Sequence, residues 1–122
     1  MGAEKSVPRA VLEHAIEKWN GGDLNGCLEL YHENAVVHHV PDRFAPGITG
    51  IREFYQALWE SFSSEIRIHD LFSEEDKLAI RYTFHAKKRE SGEESTTHCI
   101  TTLHFRDGKC VERWDADETH LR

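Results

Sequence analysis

Apolar residues recur at helical spacing in three stretches of the chain and alternate singly in most of the rest. Val11, Leu12, Ala15, Ile16 and Trp19 make one face of a first helix. Ser6 can cap it, and Pro8 sits in its first turn, where a missing N–H costs little. Asn20-Gly21-Gly22 stops it, and Asp23 caps a shorter helix with Leu24, Cys27, Leu28 and Tyr31 on one side. Residues 35–40 read as a short strand ended by Pro41, followed by a loop holding Pro46-Gly47. Thr49 caps a third helix, whose apolar positions are Ile51, Phe54, Tyr55, Leu58 and Phe62, with Trp59 alongside.

After that the period changes to two. Ile66 and Ile68 alternate until His69-Asp70, where the break predicts a bulge. In 77–88, Leu78, Ile80, Tyr82 and Phe84 alternate with Ala79, Arg81, Thr83 and His85. A charged turn over 87–94 leads to a strand over 97–105, rich in β-branched and aromatic residues. Arg106-Asp107-Gly108-Lys109 then turns the chain into a returning strand over 110–115. Helix, helix, strand, helix and four strands predict an α+β fold: three helices packed on one face of a curved, mainly antiparallel sheet.

The returning strand of this hairpin carries two carboxylates, Glu112 and Asp115, beside Trp114. A carboxylate against a large apolar ring loses water, which can raise its pKa into the range of a useful base. Its facing depends on the turn. A two-residue loop pairs Arg106 with Lys109 and puts Glu112 and Trp114 on the face of Leu103 and Phe105. A three-residue loop with a bulge at Gly108 pairs Phe105 with Lys109 and turns Val111, Arg113 and Asp115 to that face instead. Both registers remain open, with preference for the second.

At 122 residues, 39% hydrophobic and 30% charged, the chain suits one globular domain over 1–122. A net charge of −7 argues against nucleic acid and anionic membranes. No apolar run approaches the ~20 residues of a membrane span. The first residues lack an apolar signal core, so a cytoplasmic location is expected. Cys27, Cys99 and Cys110 form no CxxC pair and read as reduced, partly buried thiols. Neither a GxSxG nor a phosphate-binding glycine loop occurs. His38 and His39 are neighbours on a strand, so one faces in and the other out. With no HxH or HExxH spacing, no metal site is expected.

In order along the chain stand Trp19-Asn20-Gly21-Gly22-Asp23-Leu24, Tyr31, Glu33-Asn34-Ala35-Val36-Val37-His38, and Pro46-Gly47-Ile48-Thr49-Gly50-Ile51-Arg52. Phe105-Arg106-Asp107-Gly108-Lys109 and Glu112-Arg113-Trp114-Asp115 complete the series. This order resembles the SnoaL-like polyketide cyclase branch of the nuclear-transport-factor-2-like superfamily. The resemblance implies a cone-shaped α+β barrel enclosing a pocket for a small hydrophobic molecule, and a homodimer formed through the sheet. It implies a carboxylate base on the last strand, which is Asp115 here. The position of an assisting histidine falls near Thr101, and a threonine there departs from the cyclase pattern. His38 is carried to the pocket by the same match. Tyr31, Tyr55, Trp59, Arg81, Thr101, Phe105 and Trp114 are the candidate substrate-binding residues, although which face of the strand bearing Arg81 is concave stays open. Two functions follow: a cofactor-independent cyclase or isomerase acting on a hydrophobic carbonyl substrate, or a non-catalytic module binding a small ligand or a protein.

Overall fold

The computed structural model describes residues 7–121. Ser6, the expected first cap, lies outside them. Helix α1 (Val7–Asn20) buries Leu12, Ala15 and Trp19, the face set by the helical spacing. Asp23 caps α2 (Leu24–Leu28) by accepting a hydrogen bond from Gly26 N at 2.9 Å. Tyr31 does not continue that helix: it opens strand β1 (Tyr31–Val37), which starts earlier than the apolar run indicates. Helix α3 (Ile48–Ser61) starts one residue before Thr49 and is capped by the backbone of Gly47, not by the threonine side chain. Gly50 lets this helix close on the loop before it, because a Cβ there would collide with the Ala45 backbone. Phe62 ends the helix and begins β2 (Phe62–Glu74). Strands β3 (Lys77–Lys88), β4 (Glu94–Arg106) and β5 (Lys109–Leu121) follow.

The strands form one sheet in the order β1-β5-β4-β3-β2, with β1 parallel to β5 and every other pair antiparallel. The sheet is curved but unclosed, so the expected barrel is an open one. The predicted irregularity on β2 is present, as a register shift between Ile68 and Asp70. Asn20 protects the β2 edge. Its side chain donates to Ile66 O and accepts from Ile66 N, each at 2.8 Å, as a strand residue would. Trp19 Nε1 adds a bond to Ser64 Oγ at 3.0 Å. Together these two residues fix the end of α1 against the sheet.

The last hairpin takes its turn from one expected register and its facing from the other. Arg106 pairs with Lys109, and both turn residues have positive φ, 52° at Asp107 and 78° at Gly108. One step further the ladder shifts: Phe105 pairs with Cys110, but His104 pairs with Glu112. Val111 is the extra residue of a bulge. It restores the parity that a two-residue turn would have cost, so Arg113 pairs with Leu103 and Asp115 with Thr101 on the inner face. Leu12, Leu78 and Leu103 are the largest apolar side chains at the centre of the core, each at most 2% exposed. Burial of each is worth about 1.5–3 kcal/mol.

Candidate functional site

Between the inner face of the sheet and the helices lies a cavity of about 300 Å3, at the lower end of the range for small-ligand sites. Leu12, Ile16, Phe54, Leu58, Ile66, Ile80 and Phe84 give most of its wall an apolar character. Tyr31, His39, Tyr55, Tyr82, Arg113 and Asp115 gather as a polar cluster on the same wall.

Asp115 sits at the centre of that cluster, its side chain 5% exposed. Oδ1 accepts from His39 Nδ1 at 2.7 Å and from Arg113 Nε at 2.9 Å. Oδ2 accepts from Thr101 Oγ1 at 2.6 Å and from Arg113 Nη2 at 3.0 Å. A carboxylate offers about four acceptor positions, and these donors fill them. Burial pushes the pKa of Asp115 upward, but the hydrogen bond from His39 and the adjacent guanidinium outweigh it. The net result lies well below the usual carboxylate range. Asp115 is therefore ionised and saturated.

Arg113 is almost fully enclosed, with 11% of its side chain exposed. Burial opposes its charge, yet the three tyrosine oxygens and Asp115 more than compensate, so its pKa moves up. Nη1 donates to Tyr31 Oη at 2.7 Å and Nη2 to Tyr82 Oη at 2.9 Å. Tyr31 and Tyr55 share a hydrogen bond of 2.7 Å, and Tyr55 Oη lies 3.4 Å from His39 Nε2. The network closes on itself, from Arg113 through Tyr31, Tyr55, His39 and Asp115 back to Arg113. Burial raises the pKa of all three tyrosines, which stay protonated.

Several candidate residues fall elsewhere. His38 is on the outer face, because Val37 pairs with Arg113 on the inner one and neighbouring side chains alternate. It bonds Glu112 at 2.7 Å and stacks on Trp114, with ring centroids 5.2 Å apart. Trp114 is thus on the far side of the sheet from the cavity, 38% exposed, and cannot desolvate Asp115. Arg81 is also outside: the inward run of Leu78, Ile80 and Tyr82 turns it out to Asp70 at 2.7 Å. Phe105 is buried in the core and Trp59 packs on Trp19, both behind the cavity wall. Thr101 is fully buried and reaches the site through its bond to Asp115.

Of the candidate residues, Tyr31, Tyr55 and Asp115 line the cavity. His39, Tyr82 and Arg113 were missed, though each had a signal. His39 is the alternate of His38, Tyr82 continues Leu78 and Ile80, and Arg113 is two residues from Asp115 on the same strand. His39, just past the end of β1, meets Asp115 at Oδ1, while Thr101 meets it at Oδ2. Among the described residues, no three His, Cys, Asp or Glu side chains gather as a metal would require, and no helix is long and apolar enough to cross a membrane.

An open, mainly antiparallel sheet wrapped on three helices around a lined cavity defines a class of α+β domains. The sequence profile of the SnoaL-like domain matches residues 12–113, and the chain belongs to that family, with the nuclear-transport-factor-2-like fold. Solved structures with the same fold include IdmH of Streptomyces antibioticus, a proposed polyketide cyclase, at 22% identity and TM-score 0.76, covering 91% of both chains. The Δ5-3-ketosteroid isomerase of a Mycobacterium species has 16% identity and TM-score 0.81, covering 95% of this chain and 100% of its own. AclR of Streptomyces galilaeus, a proposed hydroxylase, has 24% identity and TM-score 0.74, covering 91% and 88%. No curated protein matches the sequence. At these identities the likeness speaks for the fold, and the reaction has to be argued from the site.

Proposed function

We propose that the cavity binds a small, neutral, hydrophobic carbonyl compound and that His39, held by Asp115, moves a proton on it. The observation carrying this is the 2.7 Å bond from His39 Nδ1 to a carboxylate with no acceptor position left over. Asp115, ionised and saturated, is a poor base toward a substrate. It is well suited to fix the imidazole as the Nδ1–H tautomer and to stabilise the imidazolium that forms when Nε2 takes a proton. Among the described residues Nε2 meets Tyr55 Oη, at 3.4 Å, and is loosely engaged.

In this reading His39 Nε2 removes a proton from the carbon beside the carbonyl, and the electron pair moves onto oxygen as an enolate. Return of the proton to another carbon is an isomerisation. Attack of the enolate carbon on a second carbonyl closes a ring, and the new alkoxide recovers the proton from His39. Neither path uses a cofactor or a metal. The apolar wall supports a hydrophobic substrate, and the family is one of cyclase and isomerase type. A second copy of the chain is the proposed partner at the outer sheet face.

The Arg113–Asp115 ion pair also favours a second reading, in which the cluster is a structural lock and the cavity only binds its ligand. Deuterium exchange separates the two. Aryl and alkyl methyl ketones incubated with the protein in D2O should lose α-proton NMR signal. His39→Gln should slow this by roughly 10²–10⁴, and chelators should not. Exchange by His39→Gln at the wild-type rate overturns the proton-transfer reading, and binding without exchange by the wild type supports the lock.

A further inference from the structure

The donors and acceptors of the polar cluster can be followed proton by proton. Both ends of the closed network have fixed roles, since Arg113 only donates and ionised Asp115 only accepts. Tyr31 Oη accepts a hydrogen bond from Arg113 Nη1 at 2.7 Å, so its own O–H is directed to Tyr55 at 2.7 Å. The Tyr55 proton points to His39 Nε2, and the His39 Nδ1 proton goes to Asp115. Thr101 spends its proton on Asp115 Oδ2 at 2.6 Å.

Tyr82 differs from the rest. Its oxygen accepts from Arg113 Nη2 at 2.9 Å, but among the described residues its proton finds only long or weak acceptors. Asp115 Oδ2 is 3.5 Å away and already takes Thr101 and Arg113. The other neighbour is the Cys99 thiol, and sulfur is a weak acceptor. Tyr82 nonetheless lines the cavity, between Ile80 and Phe84 on β3. The guanidinium bound to its oxygen polarises the O–H and strengthens it as a donor. Burial keeps that proton in place by raising the pKa.

We propose that Tyr82 is a catalytic residue: its hydroxyl donates to the substrate's carbonyl oxygen and holds the negative charge that forms there, with Arg113 behind it. This deepens the proton-transfer reading and rests on it for the reaction. It also defines the substrate, an uncharged ketone or aldehyde whose oxygen meets Tyr82 while the adjacent carbon meets His39. Asp117, a carboxylate on the same cavity wall, disfavours an anionic ligand.

Acetophenone labelled with 13C at the carbonyl tests this with one probe and two readouts. A hydrogen bond to the oxygen moves the bound carbonyl resonance downfield, and deuterium entering the methyl group reports His39. α-Methylstyrene, the same shape without the oxygen, is the control ligand. The wild type should show the downfield shift and bind the ketone more tightly than the hydrocarbon. Tyr82→Phe should lose the shift and up to about tenfold of that preference, slow exchange by roughly 10²–10³, and bind α-methylstyrene as before. His39→Gln should keep the shift and lose the exchange. A wild type with neither shift nor preference overturns the proposal without any variant, and so does a Tyr82→Phe protein that retains both. If His39→Gln exchanges normally, or the wild type does not exchange at all, proton transfer fails alone, and the carbonyl shift still decides the role of Tyr82.

Discussion

His39 Nδ1 lies 2.7 Å from Asp115 Oδ1, across 76 residues of sequence. The contact depends on two features of the sheet. The parallel pairing of β1 with β5 sets Val37 beside Arg113, so the chain leaving β1 passes the last strand at the level of the carboxylate. The Val111 bulge turns that carboxylate inward. Neither feature alone would bring the two side chains together.

The charge state of Asp115 makes the fold acid-sensitive. Its pKa in the folded protein lies well below the ordinary aspartate value of 3.8, so the folded state prefers the ionised form. The stabilisation is fully present above that ordinary value and is lost as pH falls below it toward the folded pKa. Urea unfolding between pH 6 and pH 2 should show stability falling with pH in the wild type. Asp115→Asn should start less stable and give a shallower slope. Parallel slopes would mean that Asp115 is not the group responsible.

The elements were legible in the sequence because nearly all are amphipathic with one buried face. The period of 3.6 marked α1 and α3, the period of two marked β3, and β-branched and aromatic content marked β4. The site was harder. Asp115 could be named but its facing could not, because the deciding residue, Val111, is an ordinary strand former. His38 and His39 are identical residues side by side, and only pairing with a strand more than seventy residues away separates them. The preferred register could turn Arg113 inward but gave it no role, because a buried arginine is intelligible only once its acceptors are known. The direction of the Asp115 pKa shift was misjudged for the same reason: Trp114, the visible neighbour, is across the sheet, and the groups that matter come from elsewhere in the fold.

Arg113 should matter to stability more than any other charge of the site. Arg113→Met leaves Asp115 buried without its cation and removes the donors to Tyr31 and Tyr82. Breaking one side of a buried pair typically costs about 3–5 kcal/mol. Chemical denaturation of Arg113→Met, Asp115→Asn and the double variant should show the double losing less than the sum of the singles. Additive losses would mean the pair is not energetically coupled.

The three thiols should be slow to react in the native protein. Burial pushes Cys27 up to about 12 and Cys110 up to about 11, and raises Cys99 as well. Each is at most 6% exposed. Since the thiolate is the nucleophile, alkylation by iodoacetamide at pH 8 should be far slower in buffer than in guanidinium chloride. Cys27 and Cys99 also line the cavity, so a bound ketone should slow them further while leaving Cys110 unchanged. Equal protection of all three would place the ligand elsewhere or make its effect global.

The outer face of the sheet should be buried in a homodimer. Ile100 is 59% exposed, Trp114 38% and Phe72 69%, on a face whose neighbouring positions include Ala79, Thr102 and Ala116. Exposed apolar side chains gathered on a sheet face, with the one charged pair beside Ile100, Arg81 and Asp70, already neutralised within the sheet, are what a partner of the same kind can cover. Sedimentation at micromolar concentration should therefore give a dimer. Ile100→Glu would set one carboxylate against another or against apolar surface in a symmetric contact, and should shift the protein to monomer. The cavity lies on the opposite face of the sheet, so ketone binding should survive that change. A wild-type monomer at micromolar concentration, or a dimer indifferent to Ile100→Glu, would put the interface elsewhere.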